Sequence, residues 1–239
     1  MVLCFGDSIT EGRPGVSYLR YVKNKKCYKN FGLGGDTLIG TSNRLRKILK
    51  NPKYENDRTI VIGIGANDLL LPFLKDYSKS WSKAVSRIIK RGSIPCKDER
   101  QFEVEYEELL LMLKSNAKNI IVFGIPYIET TASDLNYKAE IYNKVIENLC
   151  NQAQVPYIDI RTWQKDIKQK EKNTGSYFFT KDHLDVAFDS LLTTYLPFTD
   201  YVSKKRNLAV TIDGVHLNTM SAKGLAYLIE NKLLIYESN

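Results

Sequence analysis

Residues 2–12, "VLCFGDSITEG", set the reading of everything that follows. Residues 2–5 are apolar and partly β-branched or aromatic, and Gly6 stops them. That is the pattern of a short buried strand. A polar cluster, Asp7-Ser8-Ile9-Thr10-Glu11, follows at once. A serine just past the C-terminal end of a strand stands where ligands collect in open α/β sheets. Ser8 and Thr10 serve equally well as caps of a helix starting near Val16. The stretch by itself leaves both readings open.

Working outward, strand-like runs recur at 28–32, 59–64, 119–124 and 156–159, each closed by Gly, Asn, Pro or Asp. Helical patterns lie between and after them, near 16–24, 41–50, 69–90, 101–116, 135–153 and 219–235. In the fifth of these, Leu135, Ala139, Tyr142, Val145, Ile146, Leu149 and Ala153 recur at helical spacing. This alternation predicts a mostly parallel sheet with helices on both faces, built as a single domain over residues 1–239. Segment 163–206 fits the rhythm poorly: it is rich in Lys, Tyr and Phe and too long for an ordinary connection. It is expected to form a cap over the site, the alternative being an extra helical pair that thickens the domain.

Composition narrows the class. The chain has 239 residues, 43% hydrophobic and 26% charged, as in ordinary globular proteins. No apolar stretch approaches the roughly 18 residues of a membrane span. No basic segment followed by an apolar run and a small-residue cleavage site opens the sequence, so a cytoplasmic location is expected. The four cysteines, Cys4, Cys27, Cys96 and Cys150, lack zinc spacing, and with only two histidines a metal site is not expected. They are expected to be free and mostly buried thiols. Net charge is +8, concentrated in 20–29, 44–53 and 166–173. No nucleic-acid module accompanies these runs, so they read as solvated helix faces rather than as a nucleic-acid site.

Four short pieces carry chemistry: "GDSITEG" (6–12), "NFGLGGDT" (30–37), "GIGAND" (63–68) and "DGVHLN" (213–218). Ser8 offers a hydroxyl and His216 a base. Asp213, three residues earlier, offers a carboxylate that can hold Nδ1–H and leave Nε2 free for the serine proton. The glycines of 32–35 let backbone N–H groups approach a ligand, and Asn67 adds an amide donor suited to a developing oxyanion. His183, the other histidine, has no Asp at the matching distance before it and reads as a surface or cap residue. Asp7 and Asp68 read as supports of the Ser8 and Asn67 loops. Cys4, inside the first strand, reads as packing. The glycines of 32–35 do not complete a dinucleotide-binding G-x-G-x-x-G, since Thr37 stands in the third position.

In order and together, these pieces resemble the four blocks of the GDSL, or SGNH, hydrolase family, from Phe5 to Asn218. The resemblance implies a flavodoxin-like three-layer α/β/α sandwich and hydrolysis of esters or thioesters without a cofactor. It implies Ser8 as nucleophile, Asp213 and His216 as the base pair, and an oxyanion hole of the Ser8 N–H, Gly35 and Asn67. Gly35 is chosen within its block because it precedes Asp36. The complete Ser, Asn, Asp and His set weighs against a non-catalytic binding protein on the same fold. With no long apolar channel visible, a small-molecule or carbohydrate ester with a short acyl group, such as acetyl, is expected. A lysophospholipid, a thioester or acyl transfer to another acceptor are the alternatives.

Overall fold

The computed structural model describes residues 1–54, 58–130, 133–171, 177–179 and 181–237. Five strands, β1 (Val2–Gly6), β2 (Tyr28–Gly32), β3 (Thr59–Gly63), β4 (Asn119–Phe123) and β5 (Tyr157–Ile158), form one sheet in the order β2-β1-β3-β4-β5. Every pairing is parallel, with Val2 opposite Tyr28 on one side and Thr59 on the other. From β1 the chain goes first to one flank and then crosses back to the other. The C-terminal ends of β1, β2 and β3 therefore border the crevice where this topology binds ligands.

Alternation along the strands builds two cores. Leu3, Phe5, Ile60, Ile62 and Val122 face one way, under α2 (Leu38–Leu49), α3 (Ala66–Tyr77), α4 (Lys79–Lys90), α5 (Glu99–Asn116) and α6 (Ser133–Ala153). Cys4, Val61, Ile121 and Phe123 face the other way. There they meet Ala222, Leu225, Ala226 and Ile229 of α10 (Thr219–Glu237), with Trp163 of α7 (Ile160–Lys170) packed alongside. Helices thus cover both faces and make three layers, as the resemblance implied.

Two helical expectations change. The pattern at 16–24 is not an α-helix: it holds one 3₁₀ turn, Tyr18–Arg20, and a second, Lys25–Cys27, follows it. Val16 and Tyr18, two residues apart, both join the second core, which a regular helix forbids. The run 69–90 is two helices rather than one. Ser78 breaks it in an extended conformation and caps α4, its Oγ accepting from Trp81 N–H at 3.1 Å. A single turn, α1 (Ser8–Glu11), was not expected; the cap reading of Ser8 and Thr10 gives way to Asp7, which caps α1.

Segment 163–206 contains the rest of α7, then α8 (Leu184–Ser190), a π-helical turn (Leu191–Tyr195) and α9 (Thr199–Lys205). All four cysteines are free, and only Cys27 is exposed. Among the described residues, no helix is long and apolar enough to cross a membrane.

The sheet tolerates no added bulk where β3 ends. A Cβ at Gly63 would stand 1.9 Å from the Phe123 ring. Gly63→Ala is expected to lower stability by about 1–3 kcal/mol through overpacking. Urea denaturation should show a lower midpoint with an unchanged slope.

Candidate active site

Ser8 sits on the first turn after β1. Asp7 caps that turn, its Oδ1 accepting from Ile9 N–H at 2.9 Å, and the Ser8 carbonyl accepts from Gly12 N–H at 2.7 Å. These bonds fix the backbone that carries the hydroxyl. The partner arrives from the other end of the chain. Asp213 Oδ1 accepts from the N–H groups of Val215 (3.0 Å) and His216 (2.8 Å), folding 213–216 into a tight turn. Asp213 Oδ2 then lies 2.6 Å from His216 Nδ1, and His216 Nε2 lies 2.9 Å from Ser8 Oγ. An ionised carboxylate only accepts, so Nδ1 carries the proton and Nε2 is free to accept from the serine.

Electrostatics suit that arrangement. Burial would push the His216 imidazole down, but the Asp213 carboxylate beside it, with Asp7 and Asp189 further off, raises it above its ordinary 6.5. Burial likewise opposes ionisation of Asp213, yet the imidazole and two backbone N–H groups hold its carboxyl below the usual range. Asp7 differs: burial pushes it up to about 7 despite the Ile9 N–H.

The second and third pieces meet over Ser8. Gly35 adopts φ +74°, a left-handed conformation that favours glycine. The Asp36 carbonyl accepts one Asn67 amide hydrogen at 2.9 Å, which leaves the other available. Neither the Ser8 N–H nor the Gly35 N–H meets an acceptor among the described residues. All three residues line one cleft with His216. The arrangement can pass a proton from Ser8 to His216 and offer three donors to an oxyanion. Sequence reasoning named each of these residues, and the fold brings them together.

Sequence reasoning named Asp7 and Asp68 as supports of these loops but missed the rest of the framework. The buried Asp36 carboxylate accepts from Thr41, Arg44 Nε, Ser93 and its neighbour Thr37 N–H. Asp68 accepts from Leu38 N–H and Cys96 N–H, both at 2.9 Å, tying the Asn67 loop to its surroundings. Fully buried Glu129 accepts from three successive N–H groups, of Ala209, Val210 and Thr211, and its own N–H donates to the Gly214 carbonyl. Arg206 forms a two-pronged pair with Asp189 and also donates to the Ile212 carbonyl. A lone Glu closing the apolar run 119–128 was the only sequence hint of Glu129.

The cleft has a volume of about 310 Å³. Its inner wall is apolar: Leu70, Leu71 and Leu74 from α3, Trp81, Ala84 and Ile88 from α4, then Phe179 and Val186. His183 lines it too, edge-on to Trp81, and its ring hydrogen-bonds to no carboxylate among the described residues.

A family model described as GDSL-like lipase/acylhydrolase matches residues 4–188, taking in the first three pieces and stopping before 213–218. Among solved structures, the chain is similar to a lipase/acylhydrolase from Enterococcus faecalis, at 18% identity and TM-score 0.57, over 97% of this chain and 94% of that one. It is similar to an acetyl xylan esterase from Geobacillus stearothermophilus at 19% identity and TM-score 0.54, over 95% and 91%. An α/β hydrolase enzyme from the metagenome of Lake Arreo, Spain, matches at 16% identity and TM-score 0.56, over 95% and 92%. At these identities the likeness is one of fold. No curated protein sequence matches the chain.

Glu129 gives the framework a direct test. Glu129→Ala leaves three buried N–H groups without their acceptor, at about 1–3 kcal/mol each. A loss of at least about 3 kcal/mol in urea unfolding is expected; a loss under about 1 kcal/mol means other contacts hold the 209–216 loop.

Proposed function

The chain belongs to the GDSL-like lipase/acylhydrolase family and is a carboxylic ester hydrolase; on that premise we propose that it works through an acyl-enzyme on Ser8. The observation that carries this reading is the unbroken line from Asp213 Oδ2 through His216 to Ser8 Oγ, at 2.6 and 2.9 Å. Ser8 Oγ attacks the acyl carbonyl as His216 Nε2 takes its proton. The oxyanion is held by the N–H groups of Ser8 and Gly35 and by the free amide hydrogen of Asn67. His216 then protonates the departing alcohol, and water releases the acyl group by the same steps in reverse. Asp213 holds the tautomer and stabilises the imidazolium.

The apolar wall between α3 and α4 favours an acyl chain of several carbons. Each buried methylene contributes about 0.8 kcal/mol. Acetyl on a carbohydrate, the substrate class in the name of the acetyl xylan esterase above, is the shorter alternative. A series of 4-nitrophenyl esters separates the two: kcat/KM rising from acetyl through hexanoyl supports the first, and a maximum at acetyl the second. Phe179, His183 and Val186, from within segment 163–206, line the cleft, which supports a part for these residues in substrate choice.

Ser8→Ala is expected to lose about 10⁴- to 10⁶-fold in kcat, together with all labelling by a fluorophosphonate probe, at an unchanged melting temperature. His216→Ala should be as inactive, whereas His183→Ala keeps most activity. Full hydrolysis by purified Ser8→Ala rejects the mechanism.

The pH dependence has a definite sign. Only the neutral imidazole accepts the serine proton, and its folded value lies above 6.5. Activity should therefore be full at alkaline pH and fall on acidification, with the midpoint of kcat/KM above 6.5. Asp213→Asn removes the largest influence raising His216, so the midpoint should move to lower pH as kcat falls about 10⁴-fold.

A further inference from the structure

The mouth of the cleft carries charge that the proposed chemistry does not use. Arg13, Arg87 and Arg91 all line it, and all three are exposed. Arg87 and Arg91 stand one turn apart at the end of α4, just beyond the apolar positions Trp81, Ala84 and Ile88. Arg91 Nη2 donates to the Gly34 carbonyl at 2.5 Å, and a Cβ at Gly35 would lie 3.3 Å from it. That guanidinium is therefore beside the proposed oxyanion donor. Arg13 follows α1, its guanidinium 5.5 Å from the Tyr195 ring centroid. Arg87's charge reaches the cleft as well: after burial, it is what holds His183 below its ordinary value.

None of the three arginines pairs with a carboxylate among the described residues. Two acidic side chains on the flanking segments already accept from other donors. Glu11 accepts from Gly34 N–H, and Asp182 accepts from Ser80 Oγ and Leu184 N–H. Even after its bond to Gly34, Arg91 keeps four of the five donors a guanidinium carries. Three cations from two elements thus converge on a narrow, apolar-walled opening, a geometry that focuses field onto an arriving anion. Guanidinium groups match planar oxyanions through two parallel hydrogen bonds.

We infer that this enzyme selects amphiphilic esters, whose apolar part enters between α3 and α4 and whose anionic group is held at the rim by Arg87, Arg91 and Arg13. The anion is a carboxylate, sulfate or phosphate carried on the substrate itself. This rests on the Ser8 reading, because the rim matters only if the ester bond is cleaved in this cleft. Arg13, Arg87 and Arg91 are then specificity-determining residues.

The test compares 4-(hexanoyloxy)benzoate with its neutral methyl ester, as a ratio of kcat/KM. The wild-type ratio should favour the anion and fall in about 1 M salt, where the screening length is about 3 Å. Arg87→Ala and Arg13→Ala should each cut the ratio about tenfold, mainly through KM, as expected for a lost charge-assisted hydrogen bond. Arg87→Glu should reverse the preference. 4-(Hexanoyloxy)benzenesulfonate, run in parallel, tells whether the rim reads charge or carboxylate shape. If the neutral ester is hydrolysed while the ratio ignores both salt and the substitutions, this inference fails and the Ser8 mechanism stands. If neither ester is cleaved and the fluorophosphonate leaves Ser8 unlabelled, both fail. The salt arm needs no variant, so the inference stays testable even if a substitution harms folding.

Discussion

The hydrogen bond between Ser8 Oγ and His216 Nε2 joins residues 208 positions apart, and the surrounding structure holds its two ends still. On the serine side the work is local: a strand end, a capped turn and a carbonyl that closes it. On the histidine side little is local. The 209–218 segment belongs to no sheet; it carries only one isolated bridge, Thr211 to Leu217. Its position is set instead by ionic groups, buried Glu129 beneath its backbone and half-buried Arg206 at the Ile212 carbonyl. Those bonds replace the ladder that fixes an ordinary strand. They also make the loop brittle, because a buried N–H that loses its acceptor costs more than the bond contributed.

Carboxylates gather around this contact for two different purposes. Asp213 is kept ionised, and its charge raises His216. Asp36 and Asp68 spend their oxygens on backbone and side-chain donors, and so fix the loops that present Gly35 and Asn67. Burial pushes Asp7 up to about 7 and Asp68 up to about 6, with repulsion from neighbouring carboxylates a smaller contribution. A cluster of this kind is tolerated because each carboxylate has fixed donors. The carboxylates lie behind Ser8, with Asp36 paired to Arg44, while three arginines line the cleft.

Legibility in the sequence followed the range of the forces involved. All five strands were readable: β1, β3, β4 and β5 as apolar runs closed by turn residues, and the half-exposed edge strand β2 from its place in the alternation before the glycines of 32–35. Ser8, Asn67, Asp213 and His216 were readable because strand-end loops of a parallel sheet gather at one edge, and Asp213 and His216 lie within a single turn. Gly35 was separable from Gly32 and Gly34 only through the family resemblance. The break at Ser78 was missed because the apolar pattern runs on across it. Glu129, Arg44 and the Asp189–Arg206 pair were not readable as a framework. Each acts on a partner set by tertiary packing, and nothing in the local pattern of a lone Glu or Arg names the backbone it will meet. The apolar wall of the cleft was hidden for the same reason, since its residues come from α3, α4 and 179–186 and look like ordinary core in each.

The separation between the two ends of the site also orders events during synthesis. At about 5–20 residues per second, the ribosome delivers His216 on the order of 10–40 s after Ser8. Throughout that interval the nascent chain carries the proposed nucleophile without its proposed base. A product released early, or clipped anywhere between Glu129 and Arg206, keeps the "GDSITEG" turn and yet lacks the imidazole that would activate it. On the proposed mechanism, hydrolysis waits until translation has passed residue 216, and its appearance marks a chain whose two halves have found each other.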